Sequence, residues 1–456
     1  MPIISTIDAE TLVNQGLLSP ANSDGVRRIH KRRLNRSSDE ENQHLPLSPV
    51  STISSSSQSD SDLYTTIPEE LVSLATIKYL GYNDQMAAQI WSKWTAQAPG
   101  IPVPESISLG PFELRFIQHI VGYSFGHRGD LDSDTDSDDD AKWNEVMDRS
   151  GINNETQRAI MDPVFRQVRL TESCQFWIQD TVEMRYEVLQ EVQAASRERE
   201  QMIQRAASRP GGSASHGTSR GGASSRSVSE TLRTTPGFSP HTAMSEAALS
   251  ATNAPGSITL YRGMKKSLLD DLFDSSGNLD NIRTLSSLPQ TDFSGNLNAY
   301  YFAVDRDVAI HYASYTKRRG EGCPVVLVHA TFKNSTIESL PETKLQRLYW
   351  PSEDWKRLVF LSRKNRKIPS ELRKFNQAAL IIGTIAGKPN SVYARLNHHT
   401  EITGEFVFKN SAGRNAIQYV FLNPDGEELM EKAELKVFPL TSAEFNKWHR
   451  ESRQSP

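Results

Sequence analysis

Residues 208–256, which open "SRPGGSASHGTSRGGASSRS", are rich in serine, glycine, arginine and proline. Such a composition buries no core and reads as a flexible connection, so the chain divides into two parts of different texture. Before it the apolar residues recur at helical spacing. After it they gather in short runs of strand composition. Within the preceding part, "VRRIHKRRLNR" at 26–36 concentrates positive charge and a serine and acid tract follows. We therefore expect residues 1–65 to be a disordered tail, its basic cluster serving as a nuclear import signal, a weak anionic contact or a solvated face.

From 66 to 207 the pattern predicts an all-α region. Thr66 is a candidate cap, Pro68 fits a first turn, and Leu71, Leu74, Ala75 and Tyr79 share a face. Asn83 opens a second helix with Met86, Ile90, Trp91 and Trp94, and a third runs from Pro111 through Phe116, Ile120 and Val121. The acid block near 130–141 has alternating carboxylates but lacks the glycine and distal glutamate offsets of a calcium loop, and reads as exposed. Thr171 to Ala207 predicts a long amphipathic helix, its distal end polar all round and so solvated or partner-bound.

With a net charge of −4 the whole chain is not a basic nucleic-acid binder; the basic cluster and the linker arginines leave only a local patch for that role. Two cysteines, Cys174 and Cys323, make neither a disulfide framework nor a zinc site, so no metal is expected. The start of the chain has no secretory pattern and no apolar run nears the roughly 20 residues of a membrane span. The default is a cytoplasmic or nuclear protein.

After Gly256 the runs predict strands at Ile258–Tyr261, Ala299–Ala303, Val325–Phe332, Leu358–Leu361, Ala379–Thr384, Glu405–Phe408 and Ile417–Leu422. Helices are expected near Lys265–Phe273, Asp307–Tyr315 and Ser352–Arg357, and a tail over 441–456. The class is α+β, with one domain of ordinary size over 257–440.

Five stretches follow in order: "SITLYRG", "TDFSGNLNAYYFAVDRDVAIHYA", "DWKRLVFLSRKNR", "ALIIGTIAG" and "NAIQYVFLNPDGEEL". As an ordered set they resemble the ADP-ribosyltransferase superfamily. "LYRG" is similar to the "LYHG" strand of the diphtheria-toxin-like branch. The later landmarks are similar to an uncharacterised bacterial and fungal branch with a final "QYxF" strand, in which the tryptophan-bearing stretch is a helix. The resemblance implies a split mixed β-sheet and NAD as substrate. It places Arg262 at an adenosine ribose contact, Gly263 at the nicotinamide carboxamide, and Tyr301 against the nicotinamide ring with Tyr300 on the opposite strand face. For the third catalytic position it offers Glu405 or Gln418, with more flanking agreement at Gln418.

Cleavage of the ribose–nicotinamide bond develops an oxocarbenium-like centre, so the site needs an acceptor on a ribose hydroxyl more than a proton donor. A glutamine can accept from hydroxyls but cannot remove a proton. With Gln418 in that place, polymer elongation is not expected, and single transfer, hydrolysis or no reaction remain. The expected activity is mono-ADP-ribosyl transfer to an unknown protein or other acceptor, recruited by the helical region. The alternative is a non-catalytic NAD or ADP-ribose binding or interaction module of the same fold.

Overall fold

A computed structural model of the protein describes residues 1–43, 45–47, 63–97, 100, 103–109, 112–126, 139–207 and 255–454. The linker residues 208–254 and most of the acid block (130–138) lie outside the described residues. Within them the N-terminal half is not all-α. It contains α1 (Thr6–Asn14), β1 (Val26–His30), β2 (Tyr64–Pro68), α2 (Leu74–Tyr79), α3 (Asp84–Gln97), β3 (Ser106–Leu109), β4 (Phe112–Arg115), α4 (Phe116–Gly126), α5 (Asp140–Arg149), α6 (Asn154–Ile160) and the long α7 (Cys174–Ala207). Strands β1 and β2 pair antiparallel from Val26–Pro68 to His30–Tyr64, and β3 pairs with β4 as a hairpin. Thr66 and Pro68 thus belong to a strand, and the helix expected there begins later, where Ser73 accepts from Thr76 N.

The described part of 1–65 is likewise folded, and its charges find partners both nearby and remote in sequence. Arg27 meets Glu69 at 2.6 Å, Lys31 meets Glu321 at 3.3 Å, Arg32 meets Asp39 at 2.7 Å, and Arg36 pairs with Glu198. Asp8 on α1 is buried and takes a 2.9 Å bond from Arg199 Nη2 and a 2.6 Å bond from Ser196 Oγ. The polar distal end of α7 is therefore occupied by the chain's own first helix.

The C-terminal half is built on seven strands: β5 (Ser257–Lys265), β6 (Ala299–Ala303), β7 (Val325–Lys333), β8 (Leu345–Leu348), β9 (Leu380–Thr384), β10 (Ile417–Leu422) and β11 (Glu434–Pro439). Their order is β11-β7-β5-β6-β10-β9-β8, antiparallel throughout except for the parallel β8–β9 pair. Helices α8 (Arg306–Arg319), α9 (Glu353–Arg363), α10 (Asn423–Glu431) and α11 (Ser442–Gln454) pack around it. The expected α+β class holds at this level, but several elements differ: the helix expected near Lys265–Phe273 is the end of β5 and a short 3-10 turn over Lys266–Leu269, and β8 and β11 lie outside the expected strands. Leu358–Leu361 lies in α9, which Ser352 caps by accepting from Trp355 N at 3.3 Å. Glu405–Phe408 is a short 3-10 turn over Gly404–Phe406 followed by one isolated bridge from Val407 to Ala386. The expected tail is α11, whose Trp448 stacks on Phe165 with centroids 5.6 Å apart.

The two halves share one apolar core. Trp177, Val182 and Leu189 of α7 belong to the same buried cluster as Ala313 and Tyr315 of α8, Val325 and Leu327 of β7, and Phe408. At the seam Arg319 lies 4.5 Å over the Trp177 ring and binds Asp180 at 2.8 Å. Lys317 binds Glu41 at 2.6 Å with 6% and 5% of the two side chains exposed. Removing one member of such a buried pair strands the other charge, at a cost of about 3–5 kcal/mol. Glu41→Ala is accordingly expected to lower the unfolding free energy of the whole chain by that amount in a denaturant titration; an unchanged midpoint and slope would return residues 1–43 to the status of a loose tail.

Candidate functional site

Strand β5 runs beside β7 for its full length, from Ser257–Lys333 to Lys265–Val325, but meets β6 through one residue pair, Tyr261–Ala303. Past that pair β5 and β6 part. The gap is a cleft of about 430 Å³, within the range of small-molecule sites, and Arg262, Tyr301 and Gln418 all line it. Its outer wall comes from the other half of the chain, through Thr171, Glu172, Phe176, Trp177 and Asp180.

Alternation along β6 sends the two tyrosines to opposite faces. Tyr300 is buried in the cluster formed with Leu260, Phe302 and Phe332, and its hydroxyl donates to Glu427 Oε2 at 3.1 Å. Tyr301 faces the cleft. Its hydroxyl is shared with Thr291 Oγ1 and accepts from Phe293 N at 3.4 Å, so the ring is what it offers a ligand. Burial, aided by the charge of Asp292, pushes its phenol up to about 12. It is uncharged at neutral pH.

Arg262 is held inside the wall. Nη1 donates to Leu285 O and Nη2 to Ser287 Oγ at 3.2 Å, which ties β5 to the loop before β6. Burial brings its guanidinium down to about 10, against the opposing pull of Tyr301, so it stays cationic at neutral pH. Gly263 is next to a helix rather than in the cleft lining: a side-chain carbon there would stand 2.8 Å from Ala313 Cβ and closer still to Ala309 O, both on α8. Glu405 sits exposed in its 3-10 turn and is not among the cleft residues.

Sequence reasoning gave no role to the group at the centre. Asp292, 3% exposed, accepts four bonds. Arg363 gives two to Oδ1, from Nε at 2.9 Å and Nη2 at 2.6 Å. Ala386 N at 2.9 Å and Gln418 Nε2 at 2.7 Å share Oδ2. Burial works to lower the Arg363 guanidinium, but the charge and hydrogen bonds of Asp292 together with the nearby Tyr393 and Glu172 outweigh it, and the result is a rise above the ordinary arginine value. Arg363 ends α9, where a cation also suits the helix dipole. The loop bearing Asp292 is pinned by a 2.7 Å contact between Thr291 Oγ1 and Ser294 Oγ and by Gly295 N donating to Ser362 Oγ at 3.2 Å. Both Asp292 and Arg363 lie in stretches that carried the resemblance, yet nothing local marks two residues 71 positions apart as partners.

The cleft therefore presents an aromatic ring, a half-buried cation and a neutral amide backed by an ion pair. Among the described residues no group of His, Cys, Asp and Glu is arranged to hold a metal ion. No protein-family model matches this sequence, and no curated protein or solved structure matches it.

Two expectations follow from these contacts. Gly263→Ala forces β5 and α8 apart, and overpacking of this kind costs about 1–3 kcal/mol, to be read in thermal unfolding without any ligand. Gln418→Glu sets a second carboxyl against Asp292 at the 2.7 Å contact. Like charges at that distance raise the introduced carboxyl's pKa above its unfolded value of about 4.3. A raised acid pKa favours the folded state at low pH, so this variant loses stability relative to the parent as pH rises from about 4.3 through the raised value. Parallel stability–pH curves for variant and parent would contradict the arrangement around Asp292.

Proposed function

We propose that the C-terminal half binds NAD in the cleft between β5 and β6 and acts as a mono-ADP-ribosyltransferase-like enzyme, breaking the bond between ribose and nicotinamide and passing ADP-ribose to an acceptor. One observation carries this reading: Arg262, Tyr301 and Gln418, on three strands far apart in sequence, line a single cleft where a mixed sheet splits. A ring face suits a flat leaving group that departs neutral, and oriented stacking of this kind contributes about 0.5–1.5 kcal/mol. The amide of Gln418 suits a ribose hydroxyl. The ADP-ribosyltransferase fold itself is part of the proposal.

A second reading, a non-catalytic NAD or ADP-ribose binding module, is favoured by a specific observation. The carboxylate beside Gln418 is neutralised by Arg363, and Glu405 lies outside the cleft lining. Neither supplies a general base at the reacting centre. A nucleic-acid role gains no support from the basic segment, whose arginines at 27, 32, 33 and 36 face carboxylates.

The test uses the full chain, since its halves share a core. Incubation with NAD is expected to release nicotinamide, and Tyr301→Ala to slow that release about tenfold, equivalent to roughly 1.4 kcal/mol. Calorimetric binding of NAD without nicotinamide release selects the binding module instead. Neither binding nor release removes both readings.

A further inference from the structure

The four bonds onto Asp292 have a consequence for what the cleft recognises. A carboxylate paired with Arg363 carries no proton and can only accept. The group of Gln418 facing it must then be the NH2, as the 2.7 Å contact has it, and the amide cannot turn over without setting two acceptors against each other. Gln418 is itself 5% exposed, lines the cleft, and its Oε1 accepts from none of the described residues. From this geometry we infer that Asp292 is a positioning residue: it locks the Gln418 amide with its carbonyl oxygen toward the cleft, making this point of the site selective for a ligand hydroxyl that donates, and blind to a ligand acceptor.

The inference deepens the NAD reading, on which it rests for the identity of the ligand but not for the orientation of the amide. In that reading the donor is a hydroxyl of the ribose that bears nicotinamide. A carbonyl oxygen there draws electron density toward the sugar as positive charge develops on it, without itself taking a proton. Asp292 supplies the negative charge behind that oxygen at one remove, while Arg363 keeps the carboxylate from approaching the ligand directly. The glutamine is thus matched to its surroundings; a carboxylate in its place would oppose Asp292.

The experiment compares NAD with its analogue lacking the 2′-hydroxyl on the nicotinamide ribose, by calorimetry on the full chain. The parent is expected to prefer NAD by about tenfold, the scale of one net hydrogen bond. Asp292→Asn gives residue 292 one acceptor oxygen and one donor NH2; with the oxygen held by Arg363, the NH2 faces both Ala386 N and Gln418, leaves the Ala386 N–H without its acceptor, and turns the Gln418 amide over. Preference for the hydroxyl should then fall below about twofold in a chain that still binds both ligands. Loss of affinity for both in equal proportion, with the preference intact, would mean Asp292 acts only on the fold and overturns the assignment. The orientation is read separately, and without ligand, from the side-chain amide of Gln418 in nitrogen-15 spectra of the parent, assigned by its absence in Gln418→Ala. Slow proton exchange and a resonance displaced from the other glutamines are expected. A resonance among those of solvent-exposed glutamines overturns the positioning role even if Asp292→Asn fails to fold. Failure of the parent to bind NAD, with the displaced resonance present, removes the NAD reading and leaves the positioning role standing.

Discussion

The one-residue seam between β5 and β6 is the constraint on which the rest of the molecule turns. Had β5 continued beside β6, the sheet would have been closed and its middle filled by side chains. Instead β5 follows β7 and α8, and the contact of Gly263 with α8 holds it there because no side chain separates strand from helix. The edges so exposed carry hydrogen-bonding groups that must be satisfied. On the cleft side Arg262 bonds the Leu285 carbonyl of the turn before β6, which fixes the loop leading to that strand. The cleft is therefore a product of sheet topology, and its lining residues also hold its walls.

The second constraint is electrostatic. Asp292 and Arg363 are both nearly excluded from solvent, with 4% and 10% of their side chains exposed. A buried pair is held at low cost only when its remaining lone pairs and protons are also bonded. Here Ala386 N and Gln418 take the second carboxylate oxygen, and Asn390 Oδ1 takes a further arginine proton at 3.1 Å. The network brings the loop before β6, α9, the residues after β9 and strand β10 to one point. It gives the floor of the cleft a defined shape with no net charge.

Much of the C-terminal half was legible in its sequence. Runs such as "AYYFA" and "IQYVFL" carry strand composition in both their residues and their length, and β6 and β10 have the expected bounds. Period two alone separated Tyr300 from Tyr301. What escaped were features set by partners distant in the chain. The strands β8 and β11 are short or charged along one side, as edge strands tend to be, so their hydrophobic signal is weak. "VRRIHKRRLNR" has the composition of a solvated tail until Glu69, Glu198 and Glu321 are brought beside it. Glu405 could be set on a strand by its apolar neighbours, whereas the backbone there closes into a single tight turn.

The shared core also bears on how the chain is made. Synthesis delivers the N-terminal half first, at roughly 5–20 residues per second, so α7 emerges tens of seconds before α11. For the first roughly 5–20 s of that interval the side of α7 bearing Trp177 and Val182 has no α8 to cover it, and Asp162 waits first for Arg318 and then for His449 and Arg453 to arrive around its carboxylate. A nascent chain stalled before residue 306 would expose a broad greasy face to chaperones, and completion at the ribosome is what retires it.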